Sequence, residues 1–150
     1  MSLVFAMDIS RSMLAEDVAP SRLARATREA RRLIQDLDGD RLGLIAFAGR
    51  SYILAPLTVD VGAIALFLDG LDPDIASQGG TSLGSVLNQA RGLLSAAEEG
   101  ADRVLIVFTD GESHDSLPED LDQAKALGKA GIHLVLVRSE ERRVGKECRL

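Results

Sequence analysis

The chain has 150 residues, of which 46% are hydrophobic and four are Pro, and a formal net charge of −6. That length fits one domain with a sizeable core, and the composition excludes a disordered chain. The acidic balance argues against nucleic acid as the main partner, since phosphate binding needs basic patches; no apolar stretch reaches the roughly 18 to 20 uncharged residues that span a bilayer, and no basic segment precedes an apolar one as in a signal peptide.

Leu3 to Met7 is an apolar run that stops at Asp8. Such a run reads as a buried strand of a parallel sheet. Asp8 then sits at the strand's carboxyl end, the edge at which open α/β sheets bind ligands. Asp8, Ser10 and Ser12 offer only oxygen, which suits a hard cation such as magnesium. Pro20-Ser21-Arg22-Leu23 begins a helix that is expected to run to about Leu37, with Leu23, Ala26, Ala30, Leu33, Ile34 and Leu37 on one face. Arg25, Arg28, Glu29, Arg32 and Asp36 fall opposite and are read as solvated, with no functional role.

Asp38-Gly39-Asp40 turns the chain, and Arg41 to Phe47 with Ser51 to Leu54 reads as a hairpin at an antiparallel edge. Val61 to Leu71 is predicted as a short apolar helix. The loop that follows, ending Gly79-Gly80, delivers Thr81 and Ser82 to the start of a helix through Ala97. By itself a hydroxyl there is usually a cap. Arg103 to Thr109 is a central strand that again ends in an acid, Asp110, and a helix from Pro118 to about Lys129 leads to the strand Ile132 to Val137. Strands alternating with helices predict an α/β fold: a doubly wound, mostly parallel sheet with helices on both faces.

Three segments thus offer oxygen ligands at strand ends or helix starts: Asp8-x-Ser10-x-Ser12, Gly79-Gly80-Thr81 and Thr109-Asp110-Gly111. In this order they resemble the metal-ion-dependent adhesion site of von Willebrand factor type A (VWA) domains. The stretch Asp8 to Leu23 is similar to the bacterial aerotolerance-type, Bat-like membrane proteins that carry this domain, and the resemblance runs from about Leu3 to Val137. It implies a Rossmann-like VWA fold and a metal site built from Asp8, Ser10, Ser12, Thr81 and Asp110, which turns Thr81 from cap to ligand. It also implies magnesium, or manganese or calcium in its place, and an open coordination position for an acidic side chain of a protein partner. Related VWA proteins or a chaperone-like ATPase are the implied partners. The implied parent is a bacterial membrane-anchored envelope protein with this domain periplasmic or otherwise extracytoplasmic. Asp8→Ala and Asp110→Ala are each expected to abolish partner capture with the fold largely intact.

The resemblance implies an interaction module rather than an enzyme. The alternative is a metal-dependent hydrolase using Asp8 and Asp110, but no nucleophile, base and orienter accompany the two acids. A haloacid-dehalogenase-like phosphatase would want a second Asp where Ser10 stands, a receiver domain would want clustered acids and a late Lys, and Gly79 to Gly84 is not Gly-x-Gly-x-x-Gly. His114 and His133 lack metal-site spacing; His114 is read as a solvated loop residue and His133 as structural.

Residues 1–137 are read as the VWA domain, with the family's last strand and helix missing, so that the fold is expected to be truncated at the C-terminus; a start directly in a core strand likewise reads as an excerpt. Residues 138–150, Arg-Ser-Glu-Glu-Arg-Arg-Val-Gly-Lys-Glu-Cys-Arg-Leu, resemble a translated sequencing adapter and are read as a non-native tail with few core contacts. Without them the body carries 12 basic against 20 acidic residues and no cysteine, since Cys148 is the only one. A cysteine-free body is compatible with either cytoplasm or periplasm.

Overall fold

The structure, a computed structural model, describes residues 1–14, 21–37, 39–72, 83–97, 100–109, 125–138 and 147–149. Strand β1 (Ser2–Asp8) is buried at every position, as an apolar run must be when both faces of its sheet are covered. It leads into a 3₁₀ turn (Arg11–Leu14) and then helix α1 (Arg22–Gln35). Ser21 caps α1, its hydroxyl accepting from the Ala24 N–H, and so satisfies one of the amides that a helix start leaves unpaired. Leu23, Ala26, Ala30 and Ile34, spaced at three and four, are the buried stripe of α1. Leu33, expected on that face, is instead 42% exposed; it precedes Ile34 by one residue and so lies about 100° round the helix from it.

β2 (Arg41–Phe47) and β3 (Ser51–Thr58) form the expected hairpin, with β3 running four residues past the predicted end. The extension contains Pro56, tolerated because β3 is an edge strand and the pairing with β2 is bulged there. Opposite the bulge lies Gly43, where a Cβ would come within 3.3 Å of the Ala55 carbonyl oxygen, so a side chain there would require the β3 backbone to give by a few tenths of an ångström. α2 (Val61–Asp69), capped by Asp60, and α3 (Leu83–Ser95) precede β4 (Arg103–Thr109). Of the predicted helix from Pro118, residues 125–129 are described and are helical. Gly131, at φ +77, then turns the chain into β5 (Ile132–Arg138), a conformation that only glycine adopts without strain. β5 takes in Arg138, one residue of the segment read as a tail; Glu147–Arg149 form β6, antiparallel to β5, and residues 139–146 and 150 lie outside the described residues.

The sheet has six strands in the order β3-β2-β1-β4-β5-β6. β2, β1, β4 and β5 are mutually parallel, and both edge strands are antiparallel. Side chains alternate across it. Phe5 and Met7 pack with Leu44, Phe108, α1 and α2 on one face, and Val4 and Ala6 with Ile45, Phe47, Val107 and α3 on the other. Each fully buried large apolar side chain contributes about 1.5 to 3 kcal/mol. This is the expected doubly wound architecture with helices on both faces. The order reverses between β1, whose chain proceeds to β2, and β4, whose chain proceeds to β5. That switch point lies at the carboxyl ends of β1 and β4, the edge at which open α/β sheets generally bind ligands in a crevice.

Candidate metal centre

Asp8 is the last residue of β1 and has 0% exposure. Beyond it the Ile9 N–H still donates to the Phe47 carbonyl of β2, at 2.8 Å, so the chain leaves the sheet only at Ser10. There it folds back. The Ser10 N–H donates to Asp8 Oδ1 at 2.8 Å, and the Met13 N–H donates to the Ser10 carbonyl at 2.9 Å, starting the 3₁₀ turn. This tight return brings the side chains of Ser10 and Ser12 together, Oγ to Oγ 3.0 Å, with either hydroxyl able to donate.

From the other side of the crevice Thr109, the last residue of β4, donates its hydroxyl to Asp8 Oδ2 at 2.8 Å. The parallel register that sets Met7 beside Phe108 puts Asp8 and Thr109 level at the ends of adjacent strands. Thr109 was not among the residues expected at the site. Its signal lay in that same pairing: if two neighbouring parallel strands both stop at acids, the residue before the second acid faces the first.

The carboxylate is therefore oriented by a backbone amide and a hydroxyl, both neutral. Oδ1 accepts from the Ser10 amide and Oδ2 from the Thr109 hydroxyl, so both oxygens are engaged. Burial of a carboxylate is costly, and hydrogen bonds from neutral donors offset only part of that cost. Asp8→Ala would remove the acceptor that the Ser10 amide and the Thr109 hydroxyl share. Asp8 is the last residue of β1, as its sequence position predicts, and its bond from Thr109 links β1 to β4.

The donor set tests whether a cation fits. Oxygen ligands at about 2.0 to 2.1 Å in an octahedron stand roughly 2.9 Å apart at adjacent corners. The 3.0 Å between the Ser10 and Ser12 hydroxyls matches one such edge. Ser10 is 6% exposed and Thr109 4%, so the hydroxyls are held by their surroundings. Among the described residues no three His, Cys, Asp or Glu side chains cluster as ligands. Hydroxyl and carboxylate oxygen, the hard-cation choice, is what the crevice offers. Asp8, Ser10 and Ser12 lie together at the end of β1. Thr81, Asp110 and His114 lie outside the described residues, and His133 is an exposed residue of β5 beside Val104, away from the crevice.

Comparison with known proteins places this arrangement. Residues 3–112 match the von Willebrand factor type A domain family. A UPF0353 protein of Mycolicibacterium paratuberculosis is 32% identical over 128 residues, covering 82% of this chain and 37% of the relative. The chain thus spans little more than a third of the length of the curated relatives it matches. Among solved structures, the conserved hypothetical protein BatB of Bacteroides thetaiotaomicron is similar with a TM-score of 0.87 and 38% identity over 92% of this chain and 66% of that one. An aerotolerance-related membrane protein of Bacteroides fragilis is similar with a TM-score of 0.86 and 35% identity over 92% and 67%. More distant at 23% identity, with a TM-score of 0.75 over 91% of this chain and 35% of that one, is proximal thread matrix protein 1 of the mussel byssus, whose structure has a zinc-occupied MIDAS motif. Domains of this family typically mediate contacts between proteins. By its match over residues 3–112 and its third-identical relatives, this chain belongs to the von Willebrand factor type A domain family.

Proposed function

We propose that the domain binds a divalent cation in the crevice between β1 and β4 and uses it to capture an acidic side chain of a protein partner. The observation that carries this reading is the Ser10–Ser12 hydroxyl pair, set at the spacing of two adjacent ligands beside a fully buried carboxylate. Asp8, Ser10 and Ser12 supply one side of the ligand set, and Thr81 and Asp110 are proposed for the other. Magnesium is the first choice, with manganese or calcium as substitutes; the zinc-occupied MIDAS motif of the mussel protein, which shares this fold, supports a divalent cation. When bound, the cation supplies a positive charge that hydroxyl ligands do not cancel, so that an incoming carboxylate gains a strong charge-assisted contact.

The residues' own part is positional. Thr109 and the Ser10 amide hold the Asp8 carboxylate in one orientation, and the 3₁₀ turn fixes the hydroxyls before any ligand arrives, which lowers the entropy lost on binding. We assign the parent protein to the bacterial membrane, with this domain outside the cytoplasm; the similar Bacteroides fragilis protein, an aerotolerance-related membrane protein, supports that setting. No helix among the described residues is long and apolar enough to cross a membrane. Related VWA proteins and a chaperone-like ATPase remain the proposed partner classes.

Manganese titration followed by electron paramagnetic resonance tests the site, with acetate as the carboxylate probe. The full chain should bind Mn²⁺, and acetate should bind only when the metal is present. Equal acetate binding with metal and with chelator would sink the adhesion mechanism. Turnover of a phosphate or peptide substrate that requires Asp8 would instead favour the hydrolase.

A further inference from the structure

The metal centre leaves the outer surface of α1 and α2 without a role. α1 carries Arg22, Arg25, Arg28, Arg31 and Arg32 against Glu29 alone, within a chain of net charge −6. Charge is therefore segregated onto this helix. Arg25 pairs with Glu29 at 3.8 Å, and Arg31 with Asp69 of α2 at 2.9 Å. Among the described residues no ion pair or hydrogen bond involves Arg28 or Arg32, which lie one helical turn apart and are exposed. With Thr27 and Gln35 they line a cleft of about 500 Å³ whose other wall includes Leu68 of α2 and Leu71 just beyond its end.

α2 adds a second, independent observation. It has no charged residue before Asp69, its last. Ile64 and Leu68 are its buried side, and Leu66, two residues from each and so across the helix from both, is 74% exposed. Phe67 is 45% exposed and Val59, just before the Asp60 cap, 63%. A surface helix ordinarily turns polar residues to water at these positions. Unneutralised arginines on one helix and protruding apolar side chains on the helix packed against it are a combination that can seat a protein at a membrane interface.

We propose that the α1–α2 surface docks on a bilayer of anionic phospholipid, with Arg28 and Arg32 binding lipid phosphates and Leu66 and Phe67 seated at the acyl boundary. Complementary charge argues for an anionic occupant. Protrusion argues for lipid, because a bilayer accepts Leu66 and Phe67 without a shaped counterpart, whereas a protein would need one. The choice of occupant rests on the membrane setting proposed above, but not on the metal site.

The test is co-sedimentation of the full chain, in chelator, with phosphatidylcholine vesicles that either contain or lack roughly one-third phosphatidylglycerol. Binding should require phosphatidylglycerol and weaken at high salt. R28E/R32E should lower partitioning about tenfold or more, and L66S/F67S should lower it by about as much through lost apolar burial. R28K/R32K should retain most of it, and circular dichroism should show all three variants folded. Absence of phosphatidylglycerol-dependent binding, or equal binding by R28E/R32E, would overturn the proposal. So would Arg28- and Arg32-dependent binding of poly-L-glutamate by a chain that ignores vesicles, which would make the occupant an acidic protein segment. A chain that binds vesicles but no Mn²⁺ overturns the metal reading alone, and one that binds Mn²⁺ but no vesicles overturns this inference alone.

Discussion

β1 and β2 end side by side, Asp8 in register with Phe47, and both residues have 0% exposure. Yet one position holds a carboxylate and the other a phenyl ring. Phe47 does what a strand end next to a core is expected to do, packing with Val4, Ile45 and α3. Asp8 occupies an equally dry place with a group that gains nothing from leaving water. The hydrogen bonds from Ser10 and Thr109 make it tolerable, but a hydrophobic residue would suit stability better. At equal burial, the costlier side chain stands at the strand end for which the ligand site is proposed.

Removing the packing member of this pair should have the largest effect. Phe47→Ala should lower unfolding free energy by about 3 to 5 kcal/mol in urea titration, without altering the metal ligands directly. Asp8→Asn is the sharper probe of the other member, since an amide oxygen can still accept from the Ser10 N–H while the charge is gone. Its stability without metal should stay within about 1 kcal/mol of wild type, and the Mn²⁺ signal should disappear. A loss comparable to Phe47→Ala would mean that Asp8 is a structural keystone and the contrast is false. Ser12→Ala should change stability by less, roughly 0.5 kcal/mol at most, while weakening Mn²⁺ about 10- to 100-fold in the same titration. Unchanged Mn²⁺ affinity would remove the hydroxyl pair from the ligand set.

The strands of the sheet centre were legible because their apolar runs are cut off by charged or polar residues; β4 has the bounds that its sequence predicts. β3 was read too short, since proline is a poor strand residue except where an edge and a bulge excuse it. Leu33 was misplaced because a helical stripe read by spacing alone has no sharp lateral limit. At the site, Asp8, Ser10 and Ser12 lie close in sequence, so their pattern was visible in one line of text. Thr109 reaches Asp8 from a residue 101 positions away, a contact that only strand pairing creates. The arginines of α1 looked merely solvated for a related reason: the cleft they line needs α2 as its second wall.

The bulge at the outer edge of the sheet has a consequence for the behaviour of many copies rather than one. β3 reads Ser-Tyr-Ile-Leu-Ala-Pro-Leu-Thr, without a charge, on an open edge, and its Ile53 is 46% exposed. An uncharged strand rich in β-formers is a template onto which an identical strand from another molecule can add, and then another. Pro56 interrupts that template, lacking the amide that the next strand would need and sitting where the bulge twists the edge out of line. One imino acid is thus the guard on this edge, and Pro56→Val should leave each molecule folded while raising fibril formation, read by thioflavin fluorescence.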